Sequence, residues 1–258
     1  MNSNFLSNTI KIIFLACIQG LTEFLPISSS GHLAILKHFL NFEVNNLMIE
    51  IFLHFGSLLA MFIFLGAEIK NLIFSKNYKM LFLIFIGILP AGIVGVLFKD
   101  FIELKLTNIK LIGFFYLFFS LFLLTTIIKK NNYFKELDFK SALIIGIIQI
   151  FALLPGISRS GSTIGAGILL NIEPLSAGKF SFYMAIPLIG GAFLKELLEL
   201  NFLYSSINFF TLFIGIIVSF IVSYLTLKIL FVILKKNKFG FFGFYCLILS
   251  LTILLKYY

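Results

Sequence analysis

This chain is short of most things a water-soluble protein depends on. Only 12% of its 258 residues are charged while 60% are hydrophobic, and mean hydropathy is +1.09. Such a composition cannot cover a globule with polar surface, which excludes a soluble domain. Tryptophan is absent, and arginine occurs once, as Arg159, against nineteen lysines. The two cysteines, Cys17 and Cys246, lie in apolar runs with no ligand-type spacing around them. They read as small packing residues, excluding a disulfide framework or zinc site. The net charge of +9 is carried by lysines in short connecting stretches, with no basic stripe interleaved with aromatics. That distribution follows the positive-inside rule and excludes a nucleic-acid partner. The first apolar run ends in Phe-Leu-Pro-Ile-Ser-Ser-Ser, lacks the small-residue cleavage pattern of a signal peptide, and is expected to be retained.

What the chain has in abundance is long apolar runs. A spanning helix needs roughly 20 apolar residues. Six stretches meet this, at about 48–66, 80–98, 111–128, 178–195, 209–234 and 240–256. Two others are interrupted: 9–25 ends at Pro26 and 141–154 ends at Pro155, each followed by a Ser/Gly cluster and a short apolar run, 33–40 and 164–170. Each is too short and too broken for two crossings, and reads as a re-entrant helix pair. Irregular backbone at membrane depth is tolerated only where protein or a watery cavity satisfies its polar groups, so the two breaks predict a cavity.

The two broken units align without a gap at an offset of 130. Ile18, Gln19, Ile27, Ser28, Ser30 and Gly31 fall on Ile148, Gln149, Ile157, Ser158, Ser160 and Gly161. An odd number of crossings, three, separates them, so the second copy is inverted relative to the first. The expected fold is an all-α polytopic membrane protein: one integral-membrane domain over 1–258, six transmembrane helices and two re-entrant hairpins in an inverted repeat of about 9–128 and 139–256. The connections near 67–79, 129–140, 171–178 and 235–239 hold ten lysines, against seven on the opposite face. The richer face is expected in the cytoplasm, with both termini and the entrance of the first hairpin outside.

The first break offers Gln19, Glu23, Ser28, Ser29, Ser30, Gly31 and His32. Gln19 and Glu23 are four apart and share a helix face, so both could bind one ligand. A carboxylate at membrane depth costs roughly 2.5–3.5 kcal/mol to insert, and it normally faces a partner, a cation or water. The three serines precede a short helix, where one of them should act as N-cap. Together with helix-terminal amides and Gly31 they also suit an anion. His32, three residues after Ser29, is placed to take its proton. The second break offers Gly156, Ser158, Arg159, Ser160 and Thr163. A guanidinium stays charged and presents a planar fork suited to phosphate oxygens. The second unit has no acid to balance it, which leaves Glu23 or a bound anion. Glu50 and His54, also four apart, could extend the polar cavity or form a solvated interfacial pair.

These residues resemble the bacterial undecaprenyl-diphosphate phosphatases, also called bacitracin-resistance proteins. The family's Glu/Gln-x-x-x-Glu pattern is matched by Gln19 and Glu23 and its Ser-Ser-x-Gly-His segment by Ser28–His32. Its Pro-Gly-x-Ser-Arg-Ser-x-x-Thr segment is matched by Pro155, Gly156, Ser158, Arg159, Ser160 and Thr163, and Glu50 looks like its acidic residue in the next helix. The resemblance implies a multi-pass enzyme of the bacterial plasma membrane, with its site facing the periplasm or exterior. It would release phosphate from undecaprenyl diphosphate and so recycle the carrier of cell-wall precursors. The resemblance implies catalytic roles for Ser29, His32, Glu23 and Arg159, and substrate contacts from Ser28, Ser30, Gly31, Gly156, Ser158, Ser160 and Thr163. It also implies a divalent cation, Mg²⁺ or Ca²⁺, at Glu23 and Gln19; Gln19 in place of a second glutamate removes one charge there. The implied partners are a polyprenyl diphosphate lipid and the bilayer, with no protein partner. The same inverted repeat also suits a transporter or flippase of a polyprenyl phosphate lipid, and a structural membrane protein is a third reading.

Overall fold

The computed structural model describes residues 3–40, 47–128, 133–199 and 209–257; these form helices and connecting turns, with no strand among them. Twelve α-helices follow in order: α1 Ser3–Thr22, α2 Ser29–Leu40, α3 Leu47–Phe64, α4 Gly66–Phe74, α5 Tyr78–Leu97, α6 Lys99–Lys105, α7 Ile109–Ile128, α8 Phe139–Phe151, α9 Arg159–Leu169, α10 Pro174–Glu199, α11 Phe209–Lys235 and α12 Phe242–Tyr257. Five of them, α5, α7, α10, α11 and the last with its 3₁₀ lead-in, are long and apolar enough to cross a bilayer. Counting α3 and α4 as one span bent by 66° makes six. The protein is a multi-pass membrane protein, and all six apolar stretches expected to span become helices.

Exposed side chains on the long helices are large and apolar, among them Phe85, Val96, Phe118, Ile128, Phe213 and Ile248. In water this surface would drive association; in a bilayer it is the lipid-facing side. The interior is where the hydroxyls lie. Ser57, Ser219 and Ser223 are fully buried between α3 and α11, with Ser223 donating to Ser57 at 2.9 Å and Ser219 to the Leu53 carbonyl at 2.7 Å. Lipid tails are as apolar as leucine, so small residues and polar bonds supply the interhelical attraction that water supplies elsewhere. Gly146 of α8 accordingly sits against the backbone of Gly87 on α5, and Gly20 of α1 against Val222 and the backbone of α11.

Both interrupted stretches are helix–turn–helix units, α1–α2 and α8–α9, and neither turn is helical. Each helix after a turn is capped by the serine at the matching position: Ser28 Oγ accepts from Gly31 N at 3.3 Å and Ser158 Oγ from Gly161 N at 3.1 Å. The packing is reciprocal as well, α1 lying on α11 and α8 on α5. Two short helices, α4 and α6, occupy stretches that read as connections. No residue of α4 is buried, so no apolar stripe announces it.

Candidate active site

The turns of the two hairpins meet inside the bundle. Ser28 lies at the tip of the first with φ of 65°, and its Oγ also accepts from Gly156 N, 3.2 Å away on the second. Gly156 has φ of 102°, a conformation that costs a side-chain-bearing residue and not glycine. Ser158 Oγ donates back to the Leu25 carbonyl at 3.3 Å and contacts Ser160 Oγ at 3.0 Å. The close approach depends on two more glycines: a Cβ on Gly31 would strike the Tyr116 ring, and one on Gly161 would strike Phe119 and Pro26. The irregular backbone of each turn thereby finds its hydrogen-bond partners on the other.

This junction brings the lone arginine onto the first hairpin's acid. Arg159 Nη2 donates to Glu23 Oε1 at 2.8 Å, with side-chain exposures of 17% and 7%. The carboxylate's other oxygen, Oε2, accepts from Ser29 Oγ at 2.8 Å and from Gln19 Nε2 at 3.0 Å. Gln19 Nε2 also lies 2.8 Å from His54 Nδ1, and that nitrogen is 3.5 Å from Glu23 Oε2. A cavity of about 230 Å³ opens over these groups, lined by Glu23, Ser28, Ser29, Ser30, His54, Ser158 and Arg159, with Ile189, Ala192 and Phe193 of α10 among its apolar walls. Two polar atoms at the site are buried with no partner: Arg159 Nη1 and Gln19 Oε1.

Several residues implicated by their position in sequence lie behind this wall. Ser160 and Thr163 face inward, Thr163 Oγ1 pairing with Ser181 Oγ at 2.6 Å. Gly31 and Gly156 shape the junction without lining the cavity, and Glu50 is half-buried outside it. The expected hydrogen bond between His32 and Ser29 is replaced by others. Nδ1 of His32 meets the Ser28 carbonyl at 2.8 Å and Tyr116 Oη at 3.0 Å; Nε2 meets Tyr245 Oη at 2.6 Å, and the ring stacks on Tyr245. The Ser29 hydroxyl turns instead to the Glu23 carboxylate across the hairpin turn. Tyr116 and Tyr245 stand 84 and 213 residues away from His32, and no local motif points to them. His54 was legible only as a possible extension of the cavity; it is in the cavity wall.

Such a pocket suits an anion that competes for a forked guanidinium, beside a hydroxyl already donating to a carboxylate. The family model described as bacitracin resistance protein BacA matches residues 12–252. This chain belongs to that family. Among curated relatives, an undecaprenyl-diphosphatase of Halothermothrix orenii is 39% identical over 250 residues, covering 95% of this chain and 96% of the relative. Another so named, from Thermosipho melanesiensis, is 40% identical over 246 residues, with 93% and 96% covered. A third, from Pelagibacter ubique, is 37% identical over 258 residues, with 98% and 99% covered. The family match spans both hairpin turns, so the junction that builds the cavity falls wholly within it.

Proposed function

We propose that this protein hydrolyses undecaprenyl diphosphate to undecaprenyl phosphate and inorganic phosphate, recycling the lipid carrier of cell-wall precursors. The observation that carries the reading is the meeting of Arg159 with Glu23 and Ser29 at one cavity. A flippase would need the same anion site but not a hydroxyl hydrogen-bonded to a carboxylate beside it, and the relatives' names favour the diphosphatase.

Arg159 neutralises Glu23 through their ion pair. An entering diphosphate draws the guanidinium to its own oxygens and leaves Glu23 Oε2 as the acceptor for the Ser29 proton. Ser29 Oγ then bonds to the terminal phosphorus as its bond to the bridging oxygen breaks, and the lipid monophosphate departs. Water cleaves the resulting phosphoserine, releasing inorganic phosphate and restoring the hydroxyl. His54, in the cavity wall and 3.5 Å from the carboxylate, is the group placed to pass protons between Glu23 and water. His32, with both ring nitrogens engaged, holds the start of α2 in place and so positions Ser29. Ser28, Ser158 and Ser160 serve the junction through their hydroxyls, while Ser30 remains on the cavity wall for a phosphate oxygen.

The site fits a divalent cation such as Mg²⁺ or Ca²⁺. Glu23 and the unpaired Gln19 Oε1 are hard oxygen donors four residues apart, and hard cations are commonly held by one or two carboxylates plus substrate phosphates. When bound there it would neutralise charge on the diphosphate.

The finer architecture belongs to the same reading: six crossings and two re-entrant hairpins as an inverted repeat, about 9–128 and 139–256, in the bacterial plasma membrane with the cavity open to the exterior. The matched caps, the offset of 130 and the reciprocal packing of α1 on α11 and α8 on α5 support it. Purified protein in detergent, with no membrane gradient, should release phosphate from undecaprenyl diphosphate and lose that activity on chelation. Binding of the lipid without phosphate release would overturn the proposal.

A further inference from the structure

A second chamber of about 450 Å³ adjoins the cavity between α5, α8 and α10. The two share Ala152, Arg159, Ile189 and Ala192, so Arg159 stands on the boundary between them. The chamber's walls are mostly apolar, with Gly92, Gly95 and Val96 on α5 and Pro187 and Leu188 on α10, and Lys99 and Lys195 also line it. One buried polar side chain faces it. Gln149 is 1% exposed, lines the chamber, and has neither amide atom hydrogen-bonded. Burying an amide without partners costs a few kcal/mol, so such a group calls for a ligand.

The repeat says why Gln149 is left waiting. Its counterpart at the offset of 130 is Gln19, whose amide nitrogen has partners in Glu23 four residues on and in His54. The residue matching Glu23 in the second hairpin is Leu153, which lines the chamber. One copy of the unit thus carries a carboxylate where the other presents an apolar wall. The guanidinium between them divides likewise: Nη2 is on Glu23 and Nη1 is buried without a partner.

Resting on the phosphatase reading, we propose that this chamber holds the lipid side of the substrate. Gln149 Nε2 donates to the phosphate attached to the prenyl chain, and the isoprenoid units beyond the first lie along Gly92, Gly95 and Leu153 on their way to the bilayer. The diphosphate then straddles Arg159, its terminal phosphate over Ser29 and its lipid-linked phosphate over Gln149. This chemistry distinguishes the two ends of the headgroup: acid and hydroxyls for the end to be cleaved; amide, hydrocarbon and the lysines Lys99 and Lys195 for the end that is kept.

Two variants test it, each assayed in detergent with a C55 polyprenyl diphosphate as substrate and a five-carbon prenyl diphosphate as competing inhibitor. Gly92→Leu fills the chamber, and the fold accommodates it because an added Cβ there meets nothing within 4 Å. It should raise KM for the C55 lipid about tenfold, a modest loss of binding energy, and leave the inhibition constant of the five-carbon compound within about twofold. Gln149→Leu removes the contact to phosphate and should weaken both ligands about tenfold while kcat changes little. If Gln149→Leu does not fold, Gly92→Leu decides alone. An active wild type with neither constant moved in folded variants overturns the chamber and leaves the phosphatase reading standing. A wild type that releases no phosphate sinks that reading, and this inference with it.

Discussion

Arg159 and Glu23 are each unfavourable where they lie and tolerable only together. Removing one member of a buried ion pair leaves an uncompensated charge, commonly destabilising by about 3–5 kcal/mol, so alanine at either position confounds folding with function. Arg159→Lys is the cleaner probe, since it keeps the charge and loses the fork. Turnover should fall about 100-fold, as when a preorganised donor to a transition state is lost, with the protein still folded; phosphate release and a melting curve in detergent measure both. Neighbouring serines separate in the same way. Among the described residues Ser29 Oγ bonds to Glu23 alone, whereas Ser28 Oγ caps α2 and receives Gly156 N from the other hairpin. Ser29→Ala should abolish phosphate release with little change in melting temperature. Ser28→Ala should destabilise the protein by about 1 kcal/mol through the lost cap. Equal melting temperatures for the two would contradict that division of labour.

Proline followed by a Ser/Gly cluster marks both hairpins in the sequence itself, because an apolar helix cannot continue through such residues and membrane depth forbids an unsatisfied turn. Their helix boundaries follow from local capping, which is sequence-near by nature. At α8 the cap is Asp138, whose side chain accepts from Ser141 N at 2.8 Å and from the Ser141 hydroxyl. These bonds favour the ionised form and hold its carboxyl below the ordinary aspartate value. A depressed folded-state pKa stabilises above the unfolded-state value, and that contribution is lost as pH falls through the folded-state value. Asp138→Ala should therefore lower the melting temperature at neutral pH, and the gap from wild type should close on acidification below the ordinary aspartate range. A gap unchanged by acid would mean that charge at the cap is immaterial. The helices α4 and α6 were not legible, since neither carries an apolar run long enough to stand out from a connection.

The whole molecule is held by exchange between its halves, each hairpin lying on a long helix of the other half. Such an arrangement makes the cavity a property of the complete chain. Which side of the membrane the cavity faces is a question that cysteine scanning can read directly. With the native cysteines replaced, Lys105→Cys should react with an impermeant maleimide on intact cells, and Lys135→Cys only after permeabilisation. Both side chains are exposed in the structure. The reverse pattern would turn the cavity toward the cytoplasm.

Hydropathy and spacing alone determined the class of protein, the spanning runs, the two broken units and the polar groups worth watching. Those features are one-dimensional, because a bilayer acts on stretches of chain about as long as its own thickness. Only tertiary structure decided which groups meet. It paired Arg159 with Glu23 across 136 residues, gave the Ser29 hydroxyl to that carboxylate in place of His32, and enclosed His32 between Tyr116 and Tyr245. Hydrogen bonds and ion pairs act over a few ångströms of space, and in a chain folded back on itself those few ångströms bear no fixed relation to distance along the sequence.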